Sequence, residues 1–263
     1  MAAPWTRDGT VRTYVVTAAP EVSGRIVALA VRDNQYVHKG QVLLDIDPIN
    51  YEIAVRLASS AVKQAEANME NVEREAERRK ELPNLAVSVE QQQTYETQAI
   101  AAQAQYEQAL ANLDQARTNL QRCVIHSPVN GWVTNLLAQS GDYAPEGQNV
   151  IAVADADSFW VDGYLEETNL GRIHLGDPAT IKLMGYRQFL EGHVNSIARA
   201  ISVANAQPNG RGLATVNPIF TWVRLAQRMP VRIHIDKIPP GVVLVAGMTA
   251  TVEIDPRPPP ADR

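Results

Sequence analysis

The chain carries a single cysteine among its 263 residues, Cys123, so an intrachain disulfide is excluded. No run of 18 apolar residues occurs, and the sequence therefore predicts no transmembrane helix. A positively charged start followed by an apolar stretch is also missing, so no signal peptide is expected. Basic residues are not in excess. The 24 Lys and Arg face 29 Asp and Glu, for a net charge of −5 and a pI near 5.6. That balance argues against a general nucleic-acid binder, whose electrostatic footprint would be basic.

Catalytic patterns are absent as well. The five histidines (His38, His126, His174, His193, His234) are scattered, with no H-E-x-x-H and no cysteine partners for zinc. No G-x-S-x-G elbow, P-loop or G-x-G-x-x-G after a strand is found. Glu166 and Glu167 are neighbours in a polar helical turn, where adjacent side chains point apart. Arg224, Arg228 and Arg232 could hold an anion, but such arginines more often decorate a strand face or pair with a neighbouring subunit. The expectation is a protein that is not an enzyme and uses no cofactor and no metal.

What the sequence does hold is rhythm. Apolar or small residues recur at Tyr51, Val55, Ala58, Val62, Ala65, Met69, Val72 and Ala76, in steps of four and three. The same rhythm resumes at Tyr95, Ala99, Ala102, Tyr106, Ala109, Leu113, Ala116, Leu120 and Cys123. A seven-residue repeat held this long predicts a coiled-coil seam. Pro83-Asn84 interrupts it, because proline lacks the N–H that a helix needs. Two antiparallel helices of roughly 34 residues follow, each about 50 Å long at ~1.5 Å per residue. Asp47 is placed to cap the first helix with Pro48 beside it, and Ser88 with Gln91 fits a capping box for the second. The charged run from Glu70 to Glu81, Arg78 and Arg79 included, reads as a solvated helix face. Cys123 falls on the seam and reads as a buried small hydrophobe.

The hairpin splits a repeat. Gly24 and Gly40 are 16 residues apart, and so are Gly131 and Gly147. Tyr36 matches Tyr143, Leu29 matches Leu136, and Gln41 matches Gln148. Such duplication marks one structural unit used twice, here two halves of a small β-domain joined at the root of the hairpin. A strand is expected from Val11 to Thr17, after a polar lead-in. Later, Val231, Ile233 and Ile235 alternate with Arg232, His234 and Asp236, and Ala250, Val252 and Ile254 alternate with Thr251 and Glu253. Short strands between Gly/Pro turns predict a small antiparallel barrel.

These half-motifs (Pro20 to Leu43 and Pro128 to Val150), split by a coiled-coil hairpin and followed by a barrel, resemble a periplasmic adaptor, or membrane fusion protein, of the HlyD/EmrA type. The halves together resemble a biotinyl/lipoyl domain. Several stretches look closer still to the aromatic carboxylic acid (p-hydroxybenzoic acid) efflux adaptors. These are Pro4-Trp5-Thr6-Arg7-Asp8, Asp33-Asn34-Gln35, residues 130–136, Glu166-Glu167-Thr168 and residues 222–233. The fold expected is mixed α and β, elongated and multidomain. It comprises a lead-in and strand joining the barrel (1–17), a split lipoyl-like domain (18–48 plus 124–158) and the hairpin (49–123, tip near 82–90). A β-barrel (159–255) and a disordered tail (256–263) complete it.

The resemblance implies a periplasmic protein at the inner membrane of a Gram-negative bacterium, linking an inner-membrane exporter to an outer-membrane TolC-like channel. It implies a homo-oligomeric ring, trimer or hexamer, and membrane association through an anchor that this chain does not carry. It also implies docking to the channel through an Arg…Leu…Ser pattern at the tip, matched by Arg78, Leu82 and Ser88. Two other readings stay open on the residues alone. A lipoyl or biotinyl carrier would need a modifiable lysine at the turn between the halves, where Asp47-Pro48-Ile49 stands instead. A coiled-coil scaffold without any transport role would need only a partner helix.

Overall fold

The computed structural model describes residues 3–81, 89–201 and 226–256. The chain forms two compact units, one from Val15–Ala154 and one from the segments on either side of it.

The first unit opens with β2 of the chain order, after β1 (Trp5–Arg12) has been given to the other unit. Its elements are β2 (Val15–Ala18), β3 (Gly24–Leu29), β4 (Tyr36–Val37), β5 (Val42–Ile46), α1 (Ile49–Glu81), α2 (Val89–Gln121), β6 (Val124–His126), β7 (Gly131–Thr134), β8 (Tyr143–Ala144) and β9 (Ile151–Asp155). Two four-stranded sheets result, ordered β2-β9-β7-β4 and β6-β5-β3-β8. Each sheet takes two strands from before the helices and two from after them, so neither four-stranded sheet is complete without both halves. Ile26, Leu44 and Ile46 from one sheet and Val133, Ile151 and Val153 from the other share a single buried core.

The duplication extends to individual hydrogen bonds. Gly24 and Arg25 of β3 pair with Ala144 and Tyr143 of β8, while Gly131 and Trp132 of β7 pair with Val37 and Tyr36 of β4. The offset that carries Gly24 onto Gly131 carries each of these pairs onto the other. The Gly40 N–H donates to the Ser127 carbonyl at 2.7 Å, and the Gly147 N–H donates to the Pro20 carbonyl at 2.9 Å, again equivalent positions. Gly40 (φ +84°) and Gly147 (φ +77°) both occupy the left-handed region that β-carbon-bearing residues avoid. Gly24 is glycine for another reason, since a Cβ there would run into the Cγ2 of Ile46.

The helices rise from this sandwich because Asp47 and Pro48 start one at the end of β5. The Ile49 N–H donates to Asp47 Oδ1 at 3.1 Å, which satisfies an otherwise orphaned helix donor. At the root, the Ile46 N–H donates to the Cys123 carbonyl at 2.8 Å, so the start of α1 and the end of α2 adjoin. The least exposed positions along α1 and α2 are the residues of the four-three rhythm. Val62, Ala109 and Leu113 are buried between the helices, with Val55, Ala58, Ala65 and Tyr106 packed around them.

The second unit is a closed, wholly antiparallel six-stranded barrel, ordered β1-β10-β13-β12-β11-β14. It uses β1 together with β10 (Trp160–Glu166), β11 (Pro178–Leu183), β12 (Phe189–Ile197), β13 (Arg228–Lys237) and β14 (Thr249–Ile254). A 3-10 turn, Glu167–Arg172, follows β10. Val231, Ile233, Ala250, Val252 and Ile254 are fully buried inside, as the period-two alternation predicts. Closure removes the exposed sheet edges that an open sheet of this size would present.

One expectation needs correction here. The single strand predicted from Val11 to Thr17 is two strands in two units, with β1 beginning back at Trp5 inside the supposed lead-in. Its alternation was hidden by a bulge between Thr6 and Gly9, where β14 passes so close that a Cβ on Gly9 would sit 2.6 Å from the Ala250 carbonyl oxygen. Arg224 and the tail beyond Pro256 lie outside the described residues.

Candidate functional site

The far end of the helix pair is where sequence reasoning placed a contact site, through Arg78, Leu82 and Ser88. Leu82 and Ser88, and with Ser88 the start of the capping box, lie outside the described residues. Arg78 lies on the last turn of α1, its side chain 74% exposed and 3.7 Å from Glu75 Oε2. A pair so exposed contributes little to stability, and the guanidinium stays open to a partner.

The neighbouring arginine behaves differently. Arg79 turns onto the seam instead of joining the solvated face, which corrects the reading of that charged run. Its Nε and Nη2 donate to Glu75 Oε1 at 3.0 and 2.8 Å, and its guanidinium lies 4.7 Å from the ring centroid of Tyr95 on α2. The Glu75 carboxylate, and then Tyr95, hold this guanidinium even further above its ordinary value. The signal was present in the sequence. Ala76 plus three continues the rhythm to position 79, and an arginine stem can lie on a seam while its planar head stacks on an aromatic ring. This contact also shows that α1 and α2 run antiparallel, because it joins the end of one to the beginning of the other.

The structural glycines of the half-motifs, Gly24, Gly40, Gly131 and Gly147, all lie in the sandwich, at the two paired strand starts and the two left-handed turns described above. At the root, Cys123 is 1% exposed, and burial followed by the nearby Asp47 carboxylate pushes its thiol pKa up. Burial likewise raises the Tyr51 phenol, whose O–H donates to the Ser23 carbonyl at 2.7 Å.

In the barrel the arginines read as a candidate anion site are committed separately. Arg228 pairs with Asp8, while Arg232 stacks 4.2 Å from the Trp160 ring centroid and donates to Tyr14 Oη at 3.1 Å. Strand pairing does bring together two histidines that looked scattered. His193 and His234 face each other across β12 and β13, and His193 lies 2.8 Å from Asp236. Among the described residues no group of three or more His, Cys, Asp or Glu is arranged to hold a metal ion. Also among the described residues, no helix is long and apolar enough to cross a membrane.

Comparison with known proteins accounts for this architecture. Residues 14–156 match the model of the RND MFP barrel-sandwich hybrid domain, and residues 158–255 match the AAEA-like beta-barrel domain. The uncharacterized protein YdhJ of Escherichia coli K12 is 42% identical over 254 residues, spanning 97% of this chain and 89% of that one. In fold, the chain resembles the membrane fusion protein Spr0693 from Streptococcus pneumoniae R6, with a TM-score of 0.68 and 17% identity over 95% of this chain and 98% of that one. It also resembles a MacA-MexA chimeric protein containing the Pseudomonas aeruginosa MexA α-hairpin domain, with a TM-score of 0.64 and 24% identity over 98% and 83% of the two chains. The matched domains, which cover the sandwich interrupted by two helices and the barrel, thus identify this chain as a member of the RND membrane fusion protein family, the adaptors of tripartite efflux systems.

Proposed function

We propose that this chain is the periplasmic adaptor of a tripartite efflux system, bridging an inner-membrane exporter to an outer-membrane TolC-like channel. The observation that carries the reading is a pair of antiparallel helices, 33 residues each, set between two interlocked halves of one sandwich. At ~1.5 Å per residue each helix reaches about 50 Å from its root. The long alanine-rich seam supports a coiled-coil hairpin acting as a stiff lever. Arg78, Leu82 and Ser88 are its channel-docking residues, and residues 18–48 with 124–158 and residues 159–255 form the two β-domains. Copies pack side by side into a trimeric or hexameric ring, because one thin hairpin cannot enclose a conduit. Holding exporter and channel together raises the effective concentration of each at the other.

Aromatic carboxylic acids are the substrate class we assign, on the stretches that resemble adaptors of aromatic acid efflux. The test is complementation of a strain deleted for this gene, challenged with aromatic acids. The wild-type gene is expected to restore tolerance, whereas Arg78→Asp and Leu82→Asp are not, although both proteins accumulate folded. Full tolerance from both variants would remove the tip from the mechanism, and no sensitivity in the deleted strain would remove the substrate class.

A further inference from the structure

The rim of the barrel where β1 begins departs from the alternation of its strands. A strict period of two after the buried Thr6 would turn Arg7 out and Asp8 in. Instead Thr6 and Gly9 are buried and both residues between them are exposed. Arg7 and Asp8 together stand opposite Thr251 of β14, which is the bulge. Thr6 fixes it, since its hydroxyl donates to the Tyr164 carbonyl at 2.8 Å and accepts the Asp8 N–H at 3.1 Å. Bulges at barrel rims commonly re-aim side chains toward a binding site. Here they face a cleft of about 810 Å³ between β1, the end of β10, the 3-10 turn and the start of β13. That volume falls within the ~300–1,000 Å³ of small-molecule clefts.

The cleft is lined also by Trp5, Tyr164, Glu166, Arg172 and Arg228. Three arginines thus stand against two carboxylates, an excess of one positive charge in a chain whose net charge is −5. The arginines are not equivalent. Arg228 pairs with Asp8, and Arg172 is half-buried with a partner of its own. Arg7 is exposed, lies 5.4 Å from the Trp5 ring centroid, and pairs with no carboxylate among the described residues. Trp5 itself is 53% exposed, so an apolar ring surface adjoins this guanidinium. We infer that the cleft binds a small aromatic anion, its carboxylate on the fork of Arg7 and its ring packed on Trp5. A planar guanidinium takes a carboxylate through two parallel N–H donors, and a single carboxylate balances the excess charge. A neutral ring would forgo that pair, and an anion without a flat ring would forgo much of the indole contact. The cleft would give the adaptor a direct hold on the substrate class proposed above; that role, though not the binding, rests on the efflux reading.

The experiment is saturation-transfer NMR titration of the purified full chain. Benzoate and 4-hydroxybenzoate should bind. Benzamide should bind at least tenfold more weakly than benzoate, and cyclohexanecarboxylate at least threefold more weakly. Arg7→Gln should weaken benzoate binding at least tenfold and Trp5→Leu at least threefold, with circular dichroism unchanged. Asp8→Asn should tighten it, because Arg228 loses its partner and turns to the ligand, a gain that a merely structural role for this rim would not give. Arg117→Gln, at an exposed arginine of α2, is the control and should change nothing. Benzamide binding as tightly as benzoate, or unchanged affinity in Arg7→Gln, would overturn the inference. So would phosphatidylglycerol vesicles that bind the wild-type chain, displace benzoate and release Arg7→Gln, because the cleft would then serve a lipid headgroup. No benzoate binding alongside full complementation by the wild-type gene strikes the cleft alone. Binding by a chain that never restores tolerance leaves the cleft standing and discards the efflux role.

Discussion

The seam between α1 and α2 can be tested by making the same chemical change on and off it. Leu113 is 5% exposed on α2, among Val62, Ala109 and their neighbours, while Leu57 on α1 is 67% exposed. Leu113→Ala removes three buried carbons, a transfer loss of about 2.4 kcal/mol at ~0.8 kcal/mol each. Residual cavities raise such losses to as much as about 5 kcal/mol in closed cores. A seam lined by alanine and flanked by solvent can close inward, so the expected cost is about 2–3 kcal/mol. Leu57→Ala buries nothing and exchanges one good helix former for a better one, so its effect should stay within about 0.5 kcal/mol. The assay is urea unfolding followed by far-UV circular dichroism, comparing midpoints at equal slope. Losses of the same size at both positions, or a larger loss from Leu57→Ala, would refute the assignment of the seam and with it the stiffness of the lever.

Further outcomes follow from other parts of the molecule. Gly40→Ala and Gly147→Ala meet no atom within 4 Å but must hold a left-handed backbone, so each should cost about 1–2 kcal/mol, and Gly147→Asn less, in the same unfolding assay. Cys123 should resist thiol reagents in the native protein and react fully once urea unfolds it. Its raised folded pKa also sets the sign of a pH effect. The protonated thiol contributes equally below the ordinary thiol value of 9.0, and stability is lost as the pH climbs past it, which melts across an alkaline series would reveal. Arg79→Ala should speed amide exchange over residues 72–81 without touching exchange in the sandwich, whereas Arg78→Ala should leave both unchanged.

Much of the architecture was legible before any coordinates. Helix pairing leaves its mark in the chain because the period of 3.6 is set by hydrogen bonds four residues apart, so the buried positions from Tyr51 to Ala76 and from Tyr95 to Cys123 could be read directly. Asp47 and Pro48 signal a helix start by equally local chemistry. The spacing of Gly24 and Gly40, repeated at Gly131 and Gly147, told of one unit built twice. Alternation likewise exposed the inner faces of β13 and β14.

Tertiary structure alone decided who pairs with whom. Tyr36 finds Trp132, and Gly24 finds Ala144, across the whole length of α1 and α2, and no local propensity records a partner so distant in the chain. The same holds for β1, which reads as a lead-in until β10 and β14 take up its two edges, and for His193 beside His234. Periodicity states which face of an element is apolar. Only the closing of sheets over a common core determines what the polar and aromatic residues on the other face are left to meet.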